Sequence, residues 1–542
     1  MDENNFTYPE KFDLNKEKFL FERINDGPIN ILCCFPNTYQ VGMASLGYQH
    51  VFKLFSMSEL SSTYRFFTNF NEKYPKDIHL ISFSISWELD FHNVFEILER
   101  LQIPLRGADR DSSHPLIYAG GPVITANPEP WSDFFDFVAI GDCEENISSI
   151  VETSYKYWNT ENIDRTNLSY FTEVPGIYVP SLYPVIEALS SEDSSNKLPD
   201  ESLTNLPAVK PQKSSANNLA MSTVIAPDSC WGDVALIEVV RSCPEMCRFC
   251  LASYLTLPFR KPDLESDLIK KVNFALEFTN NLGLLGASVT QHPEFMNLLH
   301  YLIEHPNKPS FQIASVRAST VTLEMTELLF KAGIKTLTIA IESGSERLRD
   351  IINKKLPEKY IFEAAKNAEQ AGLKILKLYG MVGLPFETEQ DIEDTITLLT
   401  NLKKEHKKLK IVWGCSIFTP KAQTPYQDYG IDTSSEAKLK KLIKALKPKG
   451  IEVRPESYKW AQVQALLSRG DRTLGKYLEE IYNLKQQGFG IFKKVLPKDL
   501  YKHIVFNEWH TEMYPWQHIM QDKQKEMLKN HKLQAKSLAE LN

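Results

Sequence analysis

The sequence predicts an α/β protein built from two parallel-sheet units, with a mostly helical region after them. Three observations carry this. Short β-branched apolar runs alternate with helix-length amphipathic stretches, once before and once after a polar segment at 190–218. The chain has 542 residues, more than one hydrophobic core serves. Its 43% hydrophobic and 24% charged residues are the balance of an ordinary globular protein. The expected divisions are a first domain at 1–189, a linker at 190–226, a barrel at 227–430 and a helical region at 431–542.

In the first unit, strands are expected at Ile29–Phe35, Leu80–Ser86, Leu116–Ala119 and Phe137–Ile140, with helices at Tyr48–Phe55 and Phe91–Leu101. This alternation gives a parallel, doubly wound sheet. Two strands end in glycines, Gly120-Gly121-Pro122 and Gly141-Asp142-Cys143-Glu144-Glu145. Such glycines admit a ligand close to the backbone or simply make tight turns. Ser190 to Asn218 has no apolar period and reads as a linker.

From Val234 the rhythm resumes, with strands at Val234–Val240, Leu282–Val289, Phe311–Val316, Ile334–Ile341, Leu373–Val382 and Lys410–Phe418, each followed by a helical pattern or the turn that closes the unit. Asp263 stands where a helix N-cap belongs. Six such units predict an open, partial β/α barrel with its chemistry at the strand carboxyl ends. Residues 431–542 hold 21 Lys and Arg against 13 Asp and Glu. A stretch of that charge is a solvated surface or a face for an anionic partner such as RNA. Arg469-Gly470-Asp471-Arg472 breaks the helical pattern there, as a structural turn or as a substrate clamp. Trp509 and Trp516 read as packing residues, and Gln521–Asn542 as a polar, frayed helix.

The chemistry concentrates in Arg241-Ser242-Cys243-Pro244-Glu245-Met246-Cys247-Arg248-Phe249-Cys250, directly after the first barrel strand. Closely spaced thiolates hold iron–sulfur clusters, and three of them leave one iron of a cubane open to a small molecule. The alternative is a structural zinc site with Cys230 or His292 as fourth ligand, on a non-enzymatic binding protein. Eight cysteines, three of them clustered, suit a reducing compartment better than a disulfide framework. There is no apolar run long enough to span a membrane and no apolar leader after the acidic start, so a cytoplasmic location is expected. The net charge of −8 gives no general affinity for nucleic acid.

The cysteine spacing, with Phe249 before the third thiol, resembles the radical S-adenosylmethionine superfamily. The resemblance implies a 4Fe–4S cluster on Cys243, Cys247 and Cys250. Its open iron would chelate S-adenosylmethionine, which one electron cleaves to a 5′-deoxyadenosyl radical that abstracts hydrogen from a substrate. Further motifs fall at strand ends: Ser315-Val316-Arg317, Glu342 in Ile341-Glu342-Ser343-Gly344, and Gly383 in Met381-Val382-Gly383-Leu384-Pro385. With Phe249 they would contact S-adenosylmethionine, Gly383 near the adenine. Ser288 or Thr290 would replace the acceptor usual after the second strand. An electron donor such as flavodoxin or ferredoxin is implied.

The first domain resembles the Rossmann-like, cobalamin-binding-type domain that precedes many of these enzymes, through Gly120-Gly121-Pro122, Asn127-Pro128-Glu129-Pro130 and the turn at Gly141. Gly120, Gly121, Gly141 and Glu144 would line that cofactor's site. The usual Asp-x-His-x-x-Gly loop is absent, and Cys143 stands where glycine is common. Cobalamin binding and a fold kept without the cofactor therefore both stay open. With cobalamin, methyl transfer is the expected reaction. Without it, sulfur insertion or another radical modification of RNA or a small molecule is the alternative, and no second cysteine triplet is present for sulfur insertion. Neither a substrate nor a catalytic acid or base can be assigned from the sequence.

Overall fold

The computed structural model describes residues 12–160, 164–165, 167–185, 209–486, 488–511 and 513–541. A short strand, β1 (Lys18–Phe19), leads into the first sheet. Its strands are β2 (Ile29–Cys34), β3 (Ser61–Phe66), β4 (Leu80–Ser84), β5 (Leu116–Gly120), β6 (Phe137–Ala139) and β7 (Ile177–Tyr178), in the order β3-β2-β4-β5-β6-β7. The first five are parallel, and β7 closes the edge antiparallel to β6. Helices cover both faces, so β4 and β5 are buried almost throughout instead of alternating. The strand order reverses between β2 and β4, and in open α/β sheets ligands bind beyond the carboxyl ends at such a point. β8 (Val224–Ile225) returns to pair with β1.

β3 escapes a reading by hydropathy because its six residues are polar or mixed. Arg65, its fifth residue, is 1% exposed and held by Glu17 at 2.7 Å and Glu72 at 2.8 Å. Of the expected linker, 190–208 lies outside the described residues. The remainder packs as structure: Gln212 lies beside Gly141, and β8 belongs to a sheet.

The barrel strands are β9 (Ala235–Val240), β10 (Asn281–Gly286), β11 (Ser310–Ile313), β12 (Thr336–Glu342), β13 (Ile375–Val382), β14 (Lys410–Ile417) and β15 (Glu452–Pro455). All neighbouring pairs are parallel, in chain order, and a bridge from Val316 to Ile339 joins β11 to β12. The six expected strands form. A seventh, β15, extends the barrel from the region read as helical, where four half-polar residues give no strand signal. Asp263 caps its helix as expected, accepting the Ser266 N–H at 2.8 Å.

The carboxyl-terminal region is otherwise helical and reaches back over both sheets. Arg469 is fully buried, donating to Ile504 O at 2.7 Å and lying 4.1 Å over the Trp509 ring. Arg472 reaches Glu129 and the Tyr178 hydroxyl in the first domain, and Asn127 donates to Gly470 O at 2.8 Å. Arg469–Arg472 and Asn127–Pro130 therefore clasp one another, which makes the break in the helical pattern a structural turn. The last twenty-residue helix, Asp522–Leu541, is docked along the barrel, with Leu528 and Ala535 buried. Among the described residues no helix is long and apolar enough to cross a membrane.

Candidate active site

The three cysteines lie on the loop leaving β9. Arg241 and Arg260 exchange backbone hydrogen bonds at 2.9 Å and close that loop at its base. Inside it, Cys250 N–H donates to Cys247 O, and a short helix, Leu251–Leu255, begins after Cys250. Asn353 donates to the carbonyls of Glu245 and Met246 at 2.9 and 2.8 Å, and the Tyr254 hydroxyl donates to Met246 O. Ser242, Met246, Glu342, Asn353, Lys355 and Phe386 all have left-handed φ. Each such position in a residue with a Cβ costs about 1–3 kcal/mol, and such strain gathers at functional sites. Cys247 is 6% exposed, while Cys243 and Cys250 are partly open. Burial pushes the Cys247 thiol up to about 12, against the pull of the Lys354 ammonium. Ligation there must displace protons from the thiols.

Lys354 is the cation of the site. Its ammonium lies 2.9 Å from Glu342 Oε1, both side chains nearly buried. Burial opposes the charge on Lys354, yet Glu342 and Cys247 together hold its pKa above the ordinary value. Glu342 ends β12 just past a register shift against β13. A Cβ on Gly380 of β13 would come within 2.6 Å of Glu342 O and 2.0 Å of the Trp413 ring, so only glycine admits this path. Lys354, Asn353 and Gly380 were not found by sequence reasoning. They lie in unremarkable local contexts and meet the cysteines only through the fold.

The other expected residues distribute as follows. Ser315 stands half-exposed between β11 and Arg317, and Ser288 is buried beyond β10. Thr290 accepts from Arg317 N–H and from the Thr320 hydroxyl. The Arg317 guanidinium is already engaged: it donates to Lys354 O and Lys355 O at 2.9 Å and pairs with Glu245 at 3.1 Å. Gly383 has φ +80°, its N–H donates to Glu387, and a Cβ there would meet Ser435 Oγ at 2.0 Å, so close packing on that helix requires the glycine. Phe249 packs in an apolar cluster with Leu348, Ile351, Phe418, Tyr426 and Ala535.

The last helix takes part directly. Arg248, between Cys247 and Phe249, donates to His531 O at 2.8 Å, Gln534 Oε1 at 3.2 Å and Ile351 O at 2.6 Å. The His531 ring meets the Tyr254 hydroxyl at 2.7 Å. Since that hydroxyl donates to Met246 O, His531 Nδ1 is the donor in this pair.

At the carboxyl edge of the first sheet, Gly120, Gly121, Gly141 and Glu144 line a cavity of about 210 Å3 together with Tyr118 and Cys143. A Cβ on Gly121 would meet Ile85 O at 2.5 Å, and one on Gly141 would meet Gln212 O at 2.3 Å, so backbone contact accounts for both. Glu144 pairs with Arg241 at 2.8 Å, and Asp142 with Arg260 at 2.5 Å. The acidic turn thus grips the two arginines that close the cysteine loop. Among the described residues no three His, Cys, Asp or Glu side chains gather around a single ion. A cubane presents its irons at separate corners, so its thiolates stand farther apart than the ligands of one ion.

Family profiles agree with this geometry. A profile described as "Radical SAM superfamily" matches residues 237–399, and one described as "Radical SAM proteins, N-terminal" matches 56–180; together they take in more than half of the chain. The chain belongs to the radical S-adenosylmethionine superfamily, whose enzymes use a 4Fe–4S cluster and S-adenosylmethionine. It is similar to "Uncharacterized protein MJ0966" of Methanocaldococcus jannaschii, 29% identical over 83% of this chain and 90% of that protein. It is also similar to the tRNA-2-methylthio-N(6)-dimethylallyladenosine synthase of Deinococcus radiodurans, 24% identical over 45% of this chain and 50% of that enzyme, so it spans about half of that relative's length. Among solved structures, the cobalamin-dependent S-adenosylmethionine radical enzyme OxsB aligns with a TM-score of 0.46 at 12% identity over 93% of this chain and 62% of that one, a likeness too loose to build on.

Proposed function

We propose that Cys243, Cys247 and Cys250 hold the cluster, and that Ser288, Ser315 and Glu342, with Phe249 and the turn at Gly383 close by, hold S-adenosylmethionine. The observation that carries this is the place of the three thiols: one strained loop at the carboxyl ends of a parallel barrel, beside the buried Lys354–Glu342 pair. When bound, the two groups supply reductive cleavage of the sulfonium and abstraction of hydrogen from a substrate.

The residues of the chain prepare that step. Asn353 and Tyr254 hold the loop carbonyls so that the thiols keep their spacing. Lys354 offsets the negative charge of thiolates in a poorly solvated place. Glu342 offers an acceptor to an ammonium or a ribose hydroxyl. Arg317 braces the loop through Nη2, which donates to the 354–355 carbonyls. Cys247→Ala is expected to abolish 5′-deoxyadenosine formation from S-adenosylmethionine under reducing, anaerobic conditions. Continued formation would overturn the ligand assignment.

A second reading adds cobalamin and methyl transfer, and the first-domain cavity favours it. About 210 Å3 suits a flat heterocycle such as the base of that cofactor's nucleotide tail. His50 Nε2 and Glu144 Oε2 are buried at its wall without hydrogen-bond partners among the described residues, as a ligand's polar atoms would require. Gly120, Gly121, Gly141 and Glu144 would lie against the cofactor there. Anaerobic purification with hydroxocobalamin tests it: retained corrinoid absorbance supports methyl transfer, and protein that never retains corrinoid sinks it.

A further inference from the structure

A second groove lies beside the barrel rim, outside the site just described. It has a volume of about 520 Å3, between the last helix and the segment around Tyr514, and its barrel side is Pro425 and Asp428, in the loop following β14. Tyr426, between those two residues, donates to Ile351 O at 3.0 Å and packs in the cluster that holds Phe249. The groove is therefore one packing layer away from the cluster that holds Phe249.

Two features meet in it. Lys525, Lys529, Lys532 and Lys536 line it from the last helix. Their spacing of four, three and four puts them on one face over about 16 Å of helix. The second feature is aromatic. His503, Trp509, Trp516 and Tyr514 form one ladder of near-parallel rings, with centroids 5.6, 6.0 and 5.4 Å apart and planes within 17–25° of one another. Trp509 and Trp516 are buried inside it, whereas Tyr514, its end, is half-buried and lines the groove. The Tyr514 hydroxyl donates to Asp428 Oδ1 at 2.5 Å.

We infer that this groove binds a strand of single-stranded nucleic acid, one unpaired base stacking against Tyr514 and successive phosphates lying along the lysines. A stacking ring beside a cationic track is how such strands are held. An acidic peptide would use the lysines but not the ring, and a small aromatic anion would use the ring but not so long a track. Asp428 and Glu526 also face the groove, and Asp428 takes Lys532. Lys525 pairs with the exposed Asp522, a contact that contributes little and exchanges readily for phosphate, while Lys532 and Lys536 both face Glu508 Oε1 at 3.9 Å. This names the substrate class of the radical enzyme proposed above and rests on that reading.

The test is fluorescence anisotropy of the full-length, cluster-reconstituted protein with unstructured RNA and DNA of about a dozen nucleotides. Binding is expected to weaken with salt. Lys525→Ala with Lys529→Ala lowers the slope of log affinity against log salt by about 1.4, at about 0.7 per lost phosphate contact. Tyr514→Leu weakens binding about five- to a hundredfold, as loss of one base stack does, while Tyr514→Phe binds like the wild type. Whichever strand binds tighter names the source. No binding of either at about 100 μM overturns the inference, and so does a Tyr514→Leu protein that keeps its iron and its affinity, or equal binding of polyglutamate. Strand binding without cleavage of S-adenosylmethionine would sink the enzymatic reading alone. Cleavage without strand binding would sink this inference alone.

Discussion

Replacing Lys354 by Met leaves the Glu342 carboxylate nearly buried with no counter-charge. Breaking a buried pair on one side costs about 3–5 kcal/mol, so the urea midpoint of Lys354→Met should fall clearly below that of the wild type. A midpoint within error of the wild type would show that the pair carries no such load. Lys354→Met with Glu342→Gln should recover much of the loss, because no charge is then stranded. The cysteines were legible in the sequence, since their spacing is itself the chemistry. Lys354 was not: in Asn353-Lys354-Lys355 it reads as one more solvated cation, and only the approach of that turn to β12 pairs it with Glu342. Arg317 shows the converse. A strand-end arginine suggested an anion ligand, and nothing in the sequence announced that its Nη2 also meets two carbonyls and Glu245.

The last helix is the element whose weight the sequence understates. Its polar composition suggests a frayed tail, yet it reaches the cysteine loop through Arg248 and Tyr254. Shortening the chain after Gln521 should lower the iron retained on anaerobic reconstitution, and His531→Ala should do so in part with an unchanged circular dichroism spectrum. Full iron in both would mean that the loop stands without the helix. β2, β4 and β5 were legible because burial on both faces makes them nearly continuous apolar runs. β3 and β15 were not, the first because it is largely polar and carries the ion-paired Arg65, the second because it is a short, half-exposed edge strand.

Across the whole molecule, the first domain and the barrel are joined at the base of the cysteine loop. The acidic turn at Asp142 and Glu144 grips Arg241 and Arg260 at the base of the cysteine loop, and Arg472 clasps Glu129 on the far side. Arg472→Ala should therefore lower the melting temperature of the whole protein in one transition, and a new separate transition would show that the domains unfold independently. Neither contact is visible in the sequence, where the partners lie about a hundred or several hundred residues apart. On the reading proposed above, the cluster keeps one iron open beside Glu342 and Lys354. Mössbauer spectroscopy of the anaerobically reconstituted wild type, with and without S-adenosylmethionine, tests it most directly. The expected result is a cubane spectrum in which one iron changes its signature when S-adenosylmethionine is added. Stoichiometric zinc, or a cubane whose irons ignore S-adenosylmethionine, would contradict it.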